Sequence, residues 1–160
     1  MARLFLAEGE TYGIVVTDTD VIGTNGNETV VVGANGIANF DPSFNRGGDE
    51  IVIQGDSADY LGARVGSSLV ITNGSDASVT IPIGTAGTTI TFDEDPSTLD
   101  GDSFTLLTSG GAVTLGDQVI TTTPTALDEL GEPNAALSAA LGAAPLAADV
   151  ASDLNYLIIG

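Results

Sequence analysis

The sequence predicts an all-β protein: a short β-solenoid or β-sandwich body with an Ala-rich, partly helical C-terminal tail. Three observations carry that expectation. Short apolar runs recur through residues 1–123 at intervals of about 8–12 residues, the spacing of strands in sandwiches and barrels. Turn-forming Gly and Asn separate those runs, within a chain that holds 21 glycines. The composition then changes near Pro124, where Ala and Leu take over.

The runs at 4–6 and 14–16 come first, split by Gly9 and Gly13. A short apolar run bounded by glycine reads as a strand. The runs at 29–32, 37–40, 51–53, 69–72, 79–83, 88–92, 104–107, 113–115 and 119–122 read the same way. Between them lie Asn25-Gly-Asn, Ala34-Asn-Gly, Arg46-Gly-Gly-Asp, Asn73-Gly-Ser-Asp and Ser109-Gly-Gly. Gly and Asn accept positive φ at little cost, so these are turns. Four strand entrances look alike: Gly26-Asn-Glu-Thr-Val-Val, Gly48-Asp-Glu-Ile-Val-Ile, Gly101-Asp-Ser-Phe-Thr-Leu and Gly116-Asp-Gln-Val-Ile-Thr. An acid or amide there can cap the turn by accepting from backbone N–H groups, or offer an oxygen to a cation. The copies are unevenly spaced, so they do not form a strict repeat array.

Residues 1–123 are therefore expected to form the β domain and residues 124–160 a distinct tail. Leu137 and Leu141 stand four apart and suit one face of a short helix, with Asn134 at its start and Gly142 at its end. The end, Asp149-Val-Ala-Ser-Asp followed by Leu154-Asn-Tyr-Leu-Ile-Ile-Gly, fits either a C-terminal secretion signal or a strand that contacts a neighbouring subunit.

Charge narrows the function. There are 22 acidic residues against three basic ones, Arg3, Arg46 and Arg64, and the net charge is -19. Phosphate contacts need a basic surface, so nucleic acid is not an expected partner. The chain has no His, Cys or Lys. Zinc, haem and iron–sulfur sites lose their usual ligands, and Ser-His-Asp, Cys-His and Schiff-base chemistry cannot be assembled. No run approaches the roughly 20 apolar residues of a membrane span, and residues 4–7 are too short for a signal-peptide core. The protein is expected not to be embedded in a membrane and not to be an enzyme.

Carboxylates are the one chemical resource in quantity. The candidate metal ligands are Asp18 and Asp20, Asp49 and Glu50 at one strand entrance, and Asp93, Asp95, Asp100 and Asp102 around another turn. Calcium takes six to eight hard oxygens in flexible geometry, and acidic Gly-rich loops supply them. With few basic residues for internal pairing, calcium is the expected cofactor. The plain alternative is a solvated acidic face.

The stretch Val21-Ile-Gly-Thr-Asn-Gly-Asn-Glu-Thr-Val-Val-Val resembles the opening of bacterial extracellular modules found beside hemolysin-type (RTX) calcium-binding repeats. Phe44-Asn-Arg-Gly-Gly-Asp-Glu-Ile-Val-Ile, Ser67-Ser-Leu-Val-Ile-Thr, Val79-Thr-Ile-Pro-Ile-Gly-Thr-Ala-Gly-Thr-Thr-Ile-Thr-Phe and Leu115-Gly-Asp-Gln-Val-Ile-Thr extend the resemblance over residues 14–123. Such modules occur in surface-layer-like proteins exported by type I secretion. The resemblance implies an extracellular, calcium-associated structural role. The Gly-Gly-x-Gly-x-Asp array itself is absent, so no ligand transfers from it.

The expectation is a secreted structural subunit, without an N-terminal signal peptide, that partners itself in a filament, matrix or surface layer. Residues 4–6 and 154–159 are the segments suited to strand addition. Cell-surface polysaccharide is a second candidate partner. The alternatives are a monomeric calcium-binding adhesin or carbohydrate-binding module, and a salt-adapted soluble protein whose acidity serves no site.

Overall fold

The structure, a computed structural model, describes residues 1–46, 48–74, 77–97 and 101–128. They form a single compact unit that ends at Glu129. It is all-β, with two short 3-10 turns and no α-helix among the described residues. The helix expected after residue 134 and the terminal strand lie outside the described residues.

The strands alternate between two mixed sheets. In one lie β1 (Ala2–Phe5), β3 (Asp18–Ile22), β5 (Ile37–Phe40) and β9 (Ser78–Pro82), all parallel. In the other lie β2 (Thr11–Ile14), β4 (Thr29–Val32), β6 (Glu50–Gln54) and β10 (Thr88–Asp93), also parallel. The chain thus crosses from sheet to sheet and back, and each pair of strands makes one coil stacked on the last. Between the third and fourth coils it inserts an antiparallel hairpin, β7 (Leu61–Val65) and β8 (Ser68–Thr72), which pairs on the far side of β9. After β10 the second sheet is extended by the antiparallel strands β11 (Asp102–Ser109), β12 (Ala112–Leu115) and β13 (Gln118–Ile120). The chain then returns to the first sheet as β14 (Thr125–Ala126) beside β7. Each sheet has seven strands.

Alternation explains why these residues form strands. In β3, β4, β5 and β8 every second side chain is buried, the period-two signature of a sheet with one face on the core. The core rows meet between the sheets: Val21, Ala38, Val79 and Ile71 from one, Val30, Ile51, Ile53 and Ile90 from the other, all fully or almost fully buried. Tyr60, just before β7, and Phe92 of β10 bring their ring centroids to 5.7 Å, a direct contact between the two layers. The Tyr60 hydroxyl, itself inside, donates to the Gln54 carbonyl at 2.6 Å.

Three expectations are corrected. The run at 14–16 is not a strand of its own: β2 ends at Ile14, and Val15 and Val16 turn out into solvent at 69% and 65% exposure. β3 and β7 have no apolar run and were not foreseen. Their outward positions carry Asp18, Asp20 and Arg64, which break up the apolar signal without breaking the pairing. Finally, residues 125–128 belong to the β body and not to the tail. Leu127 is buried, its N–H donates to the Tyr60 carbonyl, and Gln118 holds both Ala126 and Asp128.

The two ends of the stack differ. At the N-terminal end β1 and β2 are both edge strands, each paired on one side only. All four residues of β1 and three of the four in β2 are exposed or half-buried. Met1 and Phe5 stand 82% and 67% exposed in this coil, and Val15, Val16 and Tyr12 of the same coil are exposed too. At the other end the chain from Thr121 to Leu127 lies along β7 and covers its edge.

Candidate cation site

Parallel stacking places equivalent residues of successive coils in columns. The register Thr11–Thr29–Glu50–Thr89 in the second sheet is continuous. One residue earlier, at the corner that leads into these strands, the column reads Glu10, Glu28, Asp49, Thr88. Carbonyls of this column link the coils: Thr29 N–H donates to Glu10, Glu50 N–H to Glu28 and Thr89 N–H to Asp49. One residue earlier again stand Gly9, Asn27, Gly48 and Gly87. The three glycines have φ of 80°, 94° and 85°, the left-handed turn that Gly and Asn accept best. The corner is therefore a recurring unit, a Gly or Asn turn, then an acid or Thr, then the strand.

This register is one residue away from the one the sequence motif suggests. Aligning Gly26-Asn-Glu with Gly48-Asp-Glu would stack Asn27 on Asp49. In the structure Gly48 sits over Asn27, and Glu28 stacks on Asp49. The copies at Gly101 and Gly116 enter antiparallel strands and belong to no coil.

Strands of a sheet lie about 4.8 Å apart, so a column of acids puts like charges in neighbouring positions. Each handles this differently. Glu10 is half-buried and accepts from the Ala7 N–H at 2.6 Å. Glu28 is 2% exposed and Asp49 is 3% exposed. The Asp49 carboxylate accepts from the Glu28 N–H at 3.0 Å. Burial pushes the Asp49 carboxyl up to about 6, and the Glu28 and Asp41 carboxylates beside it add to the rise. Glu28 turns Oε2 to the Thr24 N–H, while its Oε1 is buried with no hydrogen-bond partner. Thr88 ends the column with a neutral group whose hydroxyl donates to the Phe44 carbonyl.

The wall around Glu28 is tight: a Cβ at Gly23 would come 2.6 Å from Ser43 Oγ, 2.8 Å from Phe44 Cε2 and 3.3 Å from Glu28 Oε2, closer than a side chain tolerates. Asp41 caps the 3-10 turn at Pro42–Asn45, accepting from the N–H and hydroxyl of Ser43 and from the Gly23 N–H.

The acids expected from sequence are scattered. Asp18 and Asp20 lie on the outer face of β3, where Asp18 accepts from Asn39 at 3.3 Å and Asp20 pairs with Arg3 at 3.7 Å. Glu50 points away from Asp49 along β6 and accepts from the Thr91 hydroxyl on β10. Asp93 is buried and uses both oxygens to shape its loop, accepting from the N–H groups of Asp95 and Gly101. Asp95 is exposed, and its bonds from Ser97 lower its carboxyl. Asp102 is exposed at the start of β11. Asp100 lies outside the described residues. Among the described residues no three acidic side chains converge as a metal-binding group. Of the eight, Asp49 alone is joined to a buried acid left short of partners. That acid, Glu28, was missed, although its position after a Gly-Asn turn and before a Thr-Val strand repeats Gly9-Glu10-Thr11.

Among the described residues no helix is long and apolar enough to cross a membrane. The chain matches no protein-family model, and no curated protein or solved structure proves significantly similar to it.

Proposed function

We propose that this chain is a secreted structural subunit that assembles with copies of itself into an extracellular filament, matrix or surface layer, with calcium offsetting its acid excess. One observation carries the reading. The N-terminal coil presents two parallel strand edges at once, flanked by Met1, Phe5, Val15 and Val16 in solvent. An open edge with apolar flanks is a template for another chain, and proteins that remain single blunt such edges with charge, Pro or bulges. The wound half reads as a short β-solenoid, an architecture in which a further coil can stack on the last. The resemblance of residues 14–123 to modules of surface-layer-like proteins points the same way, as does a net charge of -19 that a divalent cation would relieve on close packing. An aromatic platform for sugar has little support: Tyr12 is exposed, but Tyr60 is buried in the core.

The test is electron microscopy of the purified chain with calcium and with chelator. Ordered polymers in calcium that disperse in chelator are the expected result. Dispersed particles in both conditions refute the subunit reading. Polymers in both remove calcium from the assembly.

A further inference from the structure

Two buried carboxylates meet between the second and third coils, and the chain supplies no cation to answer them. Arg3 is engaged with Asp20, Arg46 with Asn25 and Arg64 with the Gly66 carbonyl, and all three are exposed. There is no Lys or His. We infer that Glu28 and Asp49 are the anionic ligands of one calcium ion held inside this corner, with the unpartnered Glu28 Oε1 as a direct ligand. The inference deepens the calcium reading above and rests on it only for the choice of ion.

Three features converge on the site. A carboxylate oxygen that is wholly buried without a donor is rare, because its lost hydration must be replaced, and an unseen ion is a standard replacement. The second carboxylate is adjacent, so the local charge is negative and a divalent ion neutralises the pair. Other hard oxygens stand nearby, the Asp41 carboxylate and Ser43 Oγ, both accepting from the Gly23 N–H, and these suit calcium and not a soft metal. Magnesium keeps several waters and a strict octahedron, and a corner closed to solvent has little room for that shell. The ion would tie the second coil to the third through one ligand from each.

The experiment uses the full chain, stripped with chelator, and follows thermal unfolding by circular dichroism against added calcium or magnesium at fixed ionic strength. Calorimetry in parallel reads the stoichiometry. Wild-type protein should gain thermal stability saturably with one calcium per chain. Glu28→Gln and Asp49→Asn keep the side-chain volumes and remove the repulsion, so both should fold in chelator. Each should weaken calcium binding by more than the 10–100-fold typical of losing an outer-shell partner. Asp18→Asn, on the outer face of β3, should respond as wild type. A Glu28→Gln protein that binds calcium as wild type does, or a wild type whose stability ignores calcium, overturns the site. Polymerisation is scored separately by microscopy. Polymers without a calcium-linked stability gain refute the site and leave the subunit. The gain without polymers supports the site and refutes the subunit.

Discussion

Replacing Val15 and Val16 with Asp should abolish end-to-end association while leaving the monomer folded. Both side chains are about two-thirds exposed, so burying what remains in solvent is worth about 1–2 kcal/mol for each, scaled from roughly 1.5–3 for a full side chain. Met1 and Phe5 contribute comparably, so the four together offer about 4–8 kcal/mol. That gain is of the same order as the roughly 4–15 kcal/mol that association costs in lost freedom. The interface is thus balanced near zero before strand-edge hydrogen bonds are counted, and small losses decide it. The double substitution removes about 2–4 kcal/mol of burial and brings two carboxylates toward a neighbour of the same sign. At about 1.4 kcal/mol per factor of ten, the association constant falls at least 30-fold. Because both sites are exposed, the monomer's unfolding free energy should change by no more than about 0.5 kcal/mol for each. Sedimentation velocity across a concentration series reads the association, and circular dichroism reads the fold. Polymers of the double variant at wild-type concentrations, with the fold intact, would show that this edge is not the contact.

Three further outcomes follow from the described packing. In chelator, stability should fall as pH rises from about 4 to 6, because folded Asp49 holds its proton to about 6 while the unfolded chain releases it near the ordinary 3.8. The stabilisation is full below the unfolded value and is lost through that window. The shift corresponds to at most about 3 kcal/mol, and Asp49→Asn should flatten the slope in a pH series of urea melts. Gly48→Ala should cost more than about 1 kcal/mol, since φ is 94° and the new Cβ would strike Asn27 Oδ1, whereas a cost near zero would refute the corner geometry. Tyr60→Phe should lower stability by about 1–3 kcal/mol by leaving the Gln54 carbonyl without its buried donor, measured by denaturant unfolding.

The body strands were legible wherever the buried positions fall in an apolar run, as in Thr29–Val32, whose outer neighbours are Thr29 and Val31, and in Glu50–Gln54, whose three middle residues are all apolar and buried. Asp18–Ile22 and Leu61–Val65 were not, because acids, Gly or Arg occupy many of their positions. Stacking order was also hidden. The corners repeat, but the 3-10 turn at Pro42–Asn45 and the inserted hairpin make the intervals unequal, so periodicity along the chain does not reveal the columns. That is why acids clustered in the sequence, such as Asp93 and Asp95, share no column; each accepts N–H groups of its own loop. Glu28 and Asp49, 21 positions apart, meet only through the register of β4 on β6.

The hairpin β7–β8 also shapes how the chain can find its fold. Coils one to three stack through pairings such as Thr19 with Ala38, close in sequence. The fourth must stack through Ala38 with Val79, across about twice that distance. Doubling a loop costs only about 0.6 kcal/mol in closure entropy, and the hairpin offsets it. A tight turn at Gly66, with φ of 62°, lets β7 and β8 form locally on the microsecond scale of hairpins. β8 then offers β9 a ready antiparallel partner five residues long, from Ser68 with Pro82 to Thr72 with Ser78. β9 can therefore be delivered to β5 already paired, as one edge of a preformed three-stranded unit. The insertion that obscures the coil spacing in the sequence shortens the kinetic search for its last coil.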